Sequence, residues 1–178
     1  MITIINYGAG NIKSIQNMLK KIGVSSQISD KKTIIEKADK LILPGVGHFD
    51  YGMQQLQKSG LIATLHQKVI QEKTPILGIC LGAQMLGNKS EEGTAKGLGW
   101  IDMEVVKFNS EKLKVPHMNW NELNIKKASF LFKEMYETPR FYFVPSYYMK
   151  PQHEKDILCT ANYGSEFVAA VAKDNIYG

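Results

Sequence analysis

Cysteine is scarce in this chain. Only Cys80 and Cys159 occur in 178 residues. That excludes a disulfide framework and suits a reducing, cytoplasmic setting. Long apolar runs are missing as well. None approaches the ~18 residues needed to cross a bilayer, so no membrane helix is expected. The opening stretch Met1-Ile2-Thr3-Ile4-Ile5-Asn6 lacks a basic flank and is too short for the apolar part of a secretory signal. Clustered positive charge is also lacking. The net charge of +5 comes from 22 basic and 17 acidic residues, and the lysines are dispersed along the chain. Dispersal points to a solvated lysine-rich surface and argues against nucleic-acid binding. There is no internal repeat, low-complexity tract or interdomain linker. The expectation is one domain, 1–178, with a sizeable core.

What is present alternates between strand and helix signals. Ile2 to Ile5 reads as a strand cut short by Asn6-Tyr7-Gly8-Ala9-Gly10. A helix follows with Ile12, Ile15, Leu19 and Ile22 on one face, Asn11 as N-cap and Gly23 as stop. Val24 to Ile28 is strand-like, Thr33 to Asp39 a short helix, and Leu41-Ile42-Leu43 a buried strand ending at Pro44-Gly45-Val46-Gly47. Leu61, Leu65 and Val69 mark another helix, which leads into a strand at 75–79. Apolar rather than alternating strands mean a parallel sheet covered on both faces. In the second half, 101–105 alternates, and 141–144, 157–160 and 167–171 are strand candidates spaced as antiparallel hairpins. The expected fold is therefore α/β: a flavodoxin-like open parallel sheet with helices on both faces and antiparallel strands added in the second half. Sites in such sheets form at the carboxyl ends of strands. Three glycine loops lie there, at 8–10, 44–47 and 78–82, and should converge on one crevice.

The most informative of these is Gly78-Ile79-Cys80-Leu81-Gly82. A strand ends at a cysteine and a helix begins directly after it, with glycines permitting a sharp turn. Such an elbow exposes the thiol at a helix N-terminus, where free N–H groups favour a thiolate and can hold an oxyanion. Cys80 is the candidate nucleophile. Leu81 N–H is one candidate oxyanion donor, and the flexible loop Pro44-Gly45-Val46-Gly47 is the natural source of a second. An ordinary packed cysteine and an ordinary β–α turn are the plainer readings of the same residues.

Five segments carry a resemblance to a known family: Tyr7-Gly8-Ala9-Gly10-Asn11, Leu43-Pro44-Gly45-Val46-Gly47, Gly78-Ile79-Cys80-Leu81-Gly82-Ala83-Gln84, Pro116-His117-Met118-Asn119-Trp120-Asn121 and Phe141-Tyr142-Phe143-Val144-Pro145-Ser146-Tyr147-Tyr148. Together they resemble the class I (triad) glutamine amidotransferases. More narrowly, they resemble the glutaminase subunits of imidazole glycerol phosphate synthase, of histidine biosynthesis. The elbow is shared by many glutaminases. The Tyr-Gly-x-Gly-Asn start and the Pro-His-Met-x-Trp-Asn segment are more specific to these subunits.

The resemblance implies hydrolysis of glutamine to glutamate and ammonia through a thioester on Cys80. Val46, Gly47 and Leu81 would shape the oxyanion hole, and Gln84, Ser146 and Tyr147 would hold the substrate. No cofactor or metal is implied. Ammonia would pass to a (β/α)8-barrel cyclase partner in a heterodimer, yielding imidazole glycerol phosphate and AICAR. Asn11, Met118, Asn119 and Trp120 would face that partner.

The match has departures. The family's triad is completed by a Gly-Val-Gln-Phe-His-Pro-Glu segment whose His is the base and whose Glu orients it. Neither residue occurs in that context in the 178 residues, and the expectation is that a C-terminal segment bearing them follows Gly178. None of His48, His66, His117 and His153 has precedent as the base. Pro145 stands where the family commonly has His, and Asn119 where it has Gly. These departures open a second reading, a paralogue supplying ammonia to a synthase that builds amidino groups on surface sugars. A non-catalytic partner-binding remnant and a different cysteine hydrolase on the same scaffold are further readings. Gln84 and the Pro-His-Met-Asn-Trp segment argue against the last.

Overall fold

The apolar runs of the first half become short strands buried in the middle of one sheet. In the computed structural model, which describes residues 1–109, 111 and 113–178, β1 (Ile2–Ile5), β2 (Ser26–Ser29), β3 (Lys40–Leu43) and β4 (Ile76–Gly78) lie parallel in the order β2-β1-β3-β4. Helix α1 (Ile12–Lys21) packs on β1 and β2, and α2 (Lys32–Ile35) on β1. The Asn11 side chain caps α1 by accepting from Ser14 N–H at 3.3 Å. Gly23, at φ +74°, ends it. The predicted α1 stripe is only half-buried at Ile12, Ile15 and Leu19, and Ile22 is exposed as the C-cap. Elsewhere in this half the predicted elements stand, with ends shifted by a few residues.

One helix escapes the sequence reading. Helix α3 (Phe49–Lys58) buries Phe49, Gly52, Met53 and Leu56, a helical stripe interrupted in the sequence by a glycine. Gly52 is there for proximity. A Cβ on it would come within 2.9 Å of the Leu81 side chain and 3.0 Å of Met85 Sδ, so α3 lies directly on the start of the elbow helix. The next helix, α4 (Ile62–His66), continues into a π-type turn at Gln67–Gln71.

The second half closes the sheet with antiparallel strands. After α5 (Leu81–Gln84) come β5 (Lys89–Ser90), β6 (Met103–Lys107), β7 (Asn119–Glu122), β8 (Asn124–Ile125), β9 (Arg140–Phe143), β10 (Tyr147–Pro151), β11 (Ile157–Tyr163), β12 (Ser165–Lys173) and β13 (Ile176–Tyr177). Among the described residues, eleven strands form one sheet with the path β2-β1-β3-β4-β13-β12-β10-β6-β5, and β11 and β8 extend it from β12. The strand expected at 101–105 begins two residues later. Ile101 turns inward, fully buried, with its N–H donating to Leu86 O at 3.1 Å. Strand β13 joins the halves, parallel to β4 and antiparallel to β12.

β7 and β9 form a separate two-stranded ribbon. A second, aromatic core lies beneath it, built on Phe108, Ala161 and Phe167, with Phe143, Tyr148 and Tyr163 packed against them. His117 is part of this packing. It is 2% exposed, stacks on Tyr163 with ring centroids 3.8 Å apart, and pairs through Nε2 with Asn121 Oδ1. Residues 144–146 carry the chain from the ribbon to the main sheet. They are pinned by Pro145 O accepting from His117 N–H at 2.9 Å and Ser146 O accepting from Phe108 N–H at 3.1 Å.

Candidate active site

Cys80 holds a backbone conformation that a residue with a Cβ rarely adopts, φ +56° and ψ −117°. Such a residue costs about 1–3 kcal/mol and persists only where its surroundings impose it. The surroundings are visible. Ile79 N–H donates to Leu43 O at 3.0 Å, which holds the turn against β3. Gly82 lies so close to the Leu43 carbonyl that a Cβ there would overlap it, and a Cβ on Gly78 would come within 2.7 Å of Ala83 Cα. The turn is therefore compressed from both sides. Leu81, Gly82 and Ala83 are buried, while the Cys80 side chain stands exposed at the mouth of a cavity.

The three glycine loops meet, but not as equals. Tyr7 donates its hydroxyl to Pro44 O at 2.6 Å, and Gly10 sits against Pro44 and Gly45. Gly45 in turn sits against Leu81 and Gly82. Loop 7–10 thus backs loop 44–47, which backs the elbow. Only the latter two reach the cavity. Desolvation, then the neighbouring Cys80, pushes the Tyr7 hydroxyl well above the ordinary range, so Tyr7 stays a neutral donor.

The cavity has a volume of about 500 Å³. It brings together Cys80, Leu81, Gly47, Gln84, Ser146 and Tyr147 from the sequence-derived set. Val46 is not among its lining residues; its side chain points out and is 54% exposed. Gly47, at φ +97°, does line it. Neither the Val46 nor the Gly47 N–H donates to a carbonyl among the described residues, and of the two only Gly47 lies on the cavity wall. The segment 142–149 forms the opposite wall. Its approach depends on β10 pairing with β6 and β12, a long-range event with no local signature.

No motif marks Glu92, yet it lines the same cavity. Its Oε2 accepts from Phe49 N–H at 2.8 Å, at the start of α3. The only local sign of it is the acidic pair Glu91-Glu92 before Gly93, in a loop following a strand of two residues. The electrostatics of Cys80 also differ from the elbow expectation. Desolvation raises its thiol pKa, Leu81 N–H opposes this, and the Glu92 charge raises it further. α5 has one turn, too short for a strong dipole. These influences favour the Cys80 thiol over the thiolate, and attack requires removal of its proton. No histidine lines the cavity among the described residues. His48 caps α3, His66 ends α4 on the surface, His117 is locked in the aromatic core, and His153 lies 3.8 Å from Asp102.

The ribbon presents a second feature. Trp120 pairs with Tyr142 across it, with ring centroids 5.7 Å apart. Met118, Trp120, Tyr142 and Val144 are all exposed, Trp120 at 60%, and by strand alternation they share one face. Asn119 is exposed and accepts from Trp120 N–H at 2.9 Å. Tyr142 and Val144 also line the cavity, so this apolar face and the site of Cys80 are continuous.

A mixed α/β sheet carrying a strained cysteine elbow, with a backing glycine loop and a cavity at the strand ends, is the framework of a cysteine hydrolase. The chain belongs to the class-I glutamine amidotransferases: the family described as Glutamine amidotransferase class-I matches residues 3–178. Its relatives include an imidazole glycerol phosphate synthase subunit HisH 2 of Pseudomonas aeruginosa, 52% identical over 179 residues that cover 100% of this chain and 89% of the relative. HisH 2 of Methanococcus maripaludis is 54% identical with the same coverage. The HisH subunit of Leptospira borgpetersenii is 43% identical over 182 residues, again 100% of this chain and 89% of the relative. Among solved structures, a glutamine amidotransferase matches with a TM-score of 0.75 at 17% identity, covering 99% of this chain and 87% of the other. One from Thermotoga maritima matches at 0.67 and 14%, covering 99% and 73%. At such identities the likeness is one of fold, and it agrees with the α/β architecture.

Proposed function

We propose that this chain is the glutaminase subunit of an imidazole glycerol phosphate synthase, working in a heterodimer with a (β/α)8-barrel cyclase. The observation that carries the reading is the strained Cys80, exposed in one cavity with Gly47, Leu81, Gln84 and Glu92. Glutamine enters with its α-ammonium toward the Glu92 carboxylate and its carboxylate toward the backbone at Ser146 and Tyr147, and Gln84 helps to hold it. Its side-chain amide then lies over Cys80. Sulfur attacks the amide carbon and the carbonyl electrons move onto oxygen. Leu81 N–H and the N–H groups of Val46 and Gly47 receive that charge. As the carbonyl re-forms, the amide nitrogen takes up the proton that left the Cys80 thiol and departs as ammonia, leaving a glutamyl thioester; water cleaves it to glutamate and returns a proton to sulfur.

Both proton transfers need a base. β13 runs parallel to β4, so at Gly178, itself a lining residue, the backbone advances alongside the elbow.

The exposed face of Met118, Trp120, Tyr142 and Val144 borders the cavity and suits the partner that receives ammonia. Asn11 and Asn119 belong to the same proposed interface. Trp120→Ala should weaken the heterodimer by about 2 kcal/mol, roughly thirtyfold in Kd. Titration calorimetry against the cyclase reads this directly, and an unchanged Kd would move the interface elsewhere. The functional reading is tested by glutamate release with and without the cyclase and its ligand. Low basal turnover that rises on complex formation is expected. High turnover independent of any partner contradicts it, and none under any condition leaves the remnant reading.

One observation favours a second reading. Pro145 and Asn119 both depart from the family's usual pattern. A paralogue feeding a synthase of amidino groups on surface sugars fits both. It would be stimulated by that synthase and not by the histidine-pathway cyclase.

A further inference from the structure

Asp50 lies outside the cavity, in the first turn of α3, yet it makes four polar contacts with a single turn of the neighbouring loop. Its Oδ1 and Oδ2 each lie 3.0 Å from Thr94 N, which donates to the carboxylate. Ala95 N–H donates to Oδ1 at 2.9 Å, and the Thr94 hydroxyl donates to Oδ2 at 3.4 Å. Gly93 is pressed against this carboxylate so closely that a Cβ would overlap it. These bonds hold the Asp50 carboxyl below its ordinary range, with His48 adding to the effect.

The contact is reciprocal. Asp50 accepts from the loop, and Glu92 of the loop accepts from Phe49, the residue before Asp50. At its other end the loop is fixed to β6: Glu91 N–H donates to Val105 O at 2.9 Å, and Lys107 N–H donates to Glu91 Oε2 at 2.7 Å. Residues 91–95 are thus clamped on both sides, with Glu92 as the member that reaches the cavity. Asp50 also follows directly on loop 44–48, whose Gly47 lines the same cavity. One side chain joins the acidic wall of the site to the segment bearing Gly47.

We propose that Asp50 is a positioning residue: its carboxylate clamps the 93–95 turn and so holds Glu92 in the cavity wall beside Cys80, setting selectivity for an amide substrate that carries an α-ammonium. This rests on the glutaminase reading for its substrate, but not for its geometry, so two readouts separate them.

The first is alkylation of Cys80 by iodoacetamide as a function of pH, in the full chain, followed by mass of the Cys80 peptide. Cys159 does not compete, being buried with its thiol pushed up to about 11. Around Cys80 the influences are desolvation first, then Leu81 N–H and the Glu92 charge, with the neutral Tyr7 hydroxyl nearby. Glu92→Gln removes the negative charge and moves the alkylation midpoint to lower pH. Asp50→Ala moves it in the same direction by releasing Glu92. Asp50→Asn, which keeps the shape but weakens the acceptor, falls between wild type and Asp50→Ala. In the Asp50→Ala, Glu92→Gln double variant the midpoint matches Glu92→Gln alone. An Asp50→Ala midpoint at the wild-type value, or one additive with Glu92→Gln, overturns the proposal.

The second is steady-state kinetics in the partner complex. Asp50→Ala raises KM for glutamine about tenfold with kcat within about twofold. For 4-carbamoylbutanoate, the same amide without the amine, kcat/KM is unchanged. A general loosening of the fold would lower both substrates alike, and that result also overturns the proposal. If wild type releases no glutamate, the glutaminase reading falls, and the alkylation profile still decides for or against Asp50.

Discussion

Cys80→Ala is expected to abolish glutamate release, lowering the rate by at least about four orders of magnitude, while the protein folds and binds its partner as before. The size follows from the chemistry. The covalent route through a thioester has no substitute when the sulfur is absent, and residual turnover comes only from bound water in a preorganised site. The stability expectation follows from the structure. The Cys80 side chain is exposed, accepts no cap contact and belongs to neither apolar core. Alanine at φ +56° suffers the same strain as cysteine, so the turn keeps its shape. A thermal midpoint close to wild type and an unchanged partner Kd complete the expectation. Retained glutaminase activity in this variant would refute Cys80 as nucleophile.

Gly82→Ala should be as damaging by another route. Its new methyl would overlap the Leu43 carbonyl, the same oxygen that receives Ile79 N–H. Backbone cannot rotate away as a side chain can. Either β3 separates from the elbow or the elbow opens, and both remove burial around Leu81, Leu43 and Phe49. A loss of about 3 kcal/mol or more is expected, by the scale of overpacking and lost contacts in a tight core. For a chain of this size that lowers Tm by roughly 6–12 °C. Activity should fall with it, since the strain at Cys80 is released as the turn relaxes. Gly23→Ala is the comparison. Gly23 has φ +74° but open space around it, so only the left-handed penalty of about 1 kcal/mol applies. Equal Tm changes in the two variants would show that close approach is not what Gly82 provides.

Fold and site were legible in the sequence to different depths. β1, β3 and β4 are mostly apolar, without polar–apolar alternation, because both faces are covered, and that is written locally. α3 was hidden because Gly52, required by the approach of Leu81 and Met85, breaks the stripe that would have revealed it. Cys80, Gly47, Gln84, Ser146 and Tyr147 could be named from motifs and are gathered in one cavity. Glu92 and Asp50 could not, because their significance is a relation between loop 91–95 and the start of α3, more than forty residues apart. His117 shows the converse. It stands in a conspicuous motif, yet stacking on Tyr163 and pairing with Asn121 make it part of a core.

By itself the sequence determined the α/β alternation, the parallel first half and the elbow at Cys80. Each is a short-range matter of apolar period and glycine spacing, set by backbone sterics within a few residues. Only the tertiary structure decided the protonation tendency of Cys80, the composition of its cavity and the continuity of that cavity with the Trp120 face. Those depend on which distant strands pair, how much water they exclude and which charge they bring near the sulfur. Desolvation and Coulomb forces act through space, and space is assigned by the β10 and β13 pairings rather than by neighbours in the chain.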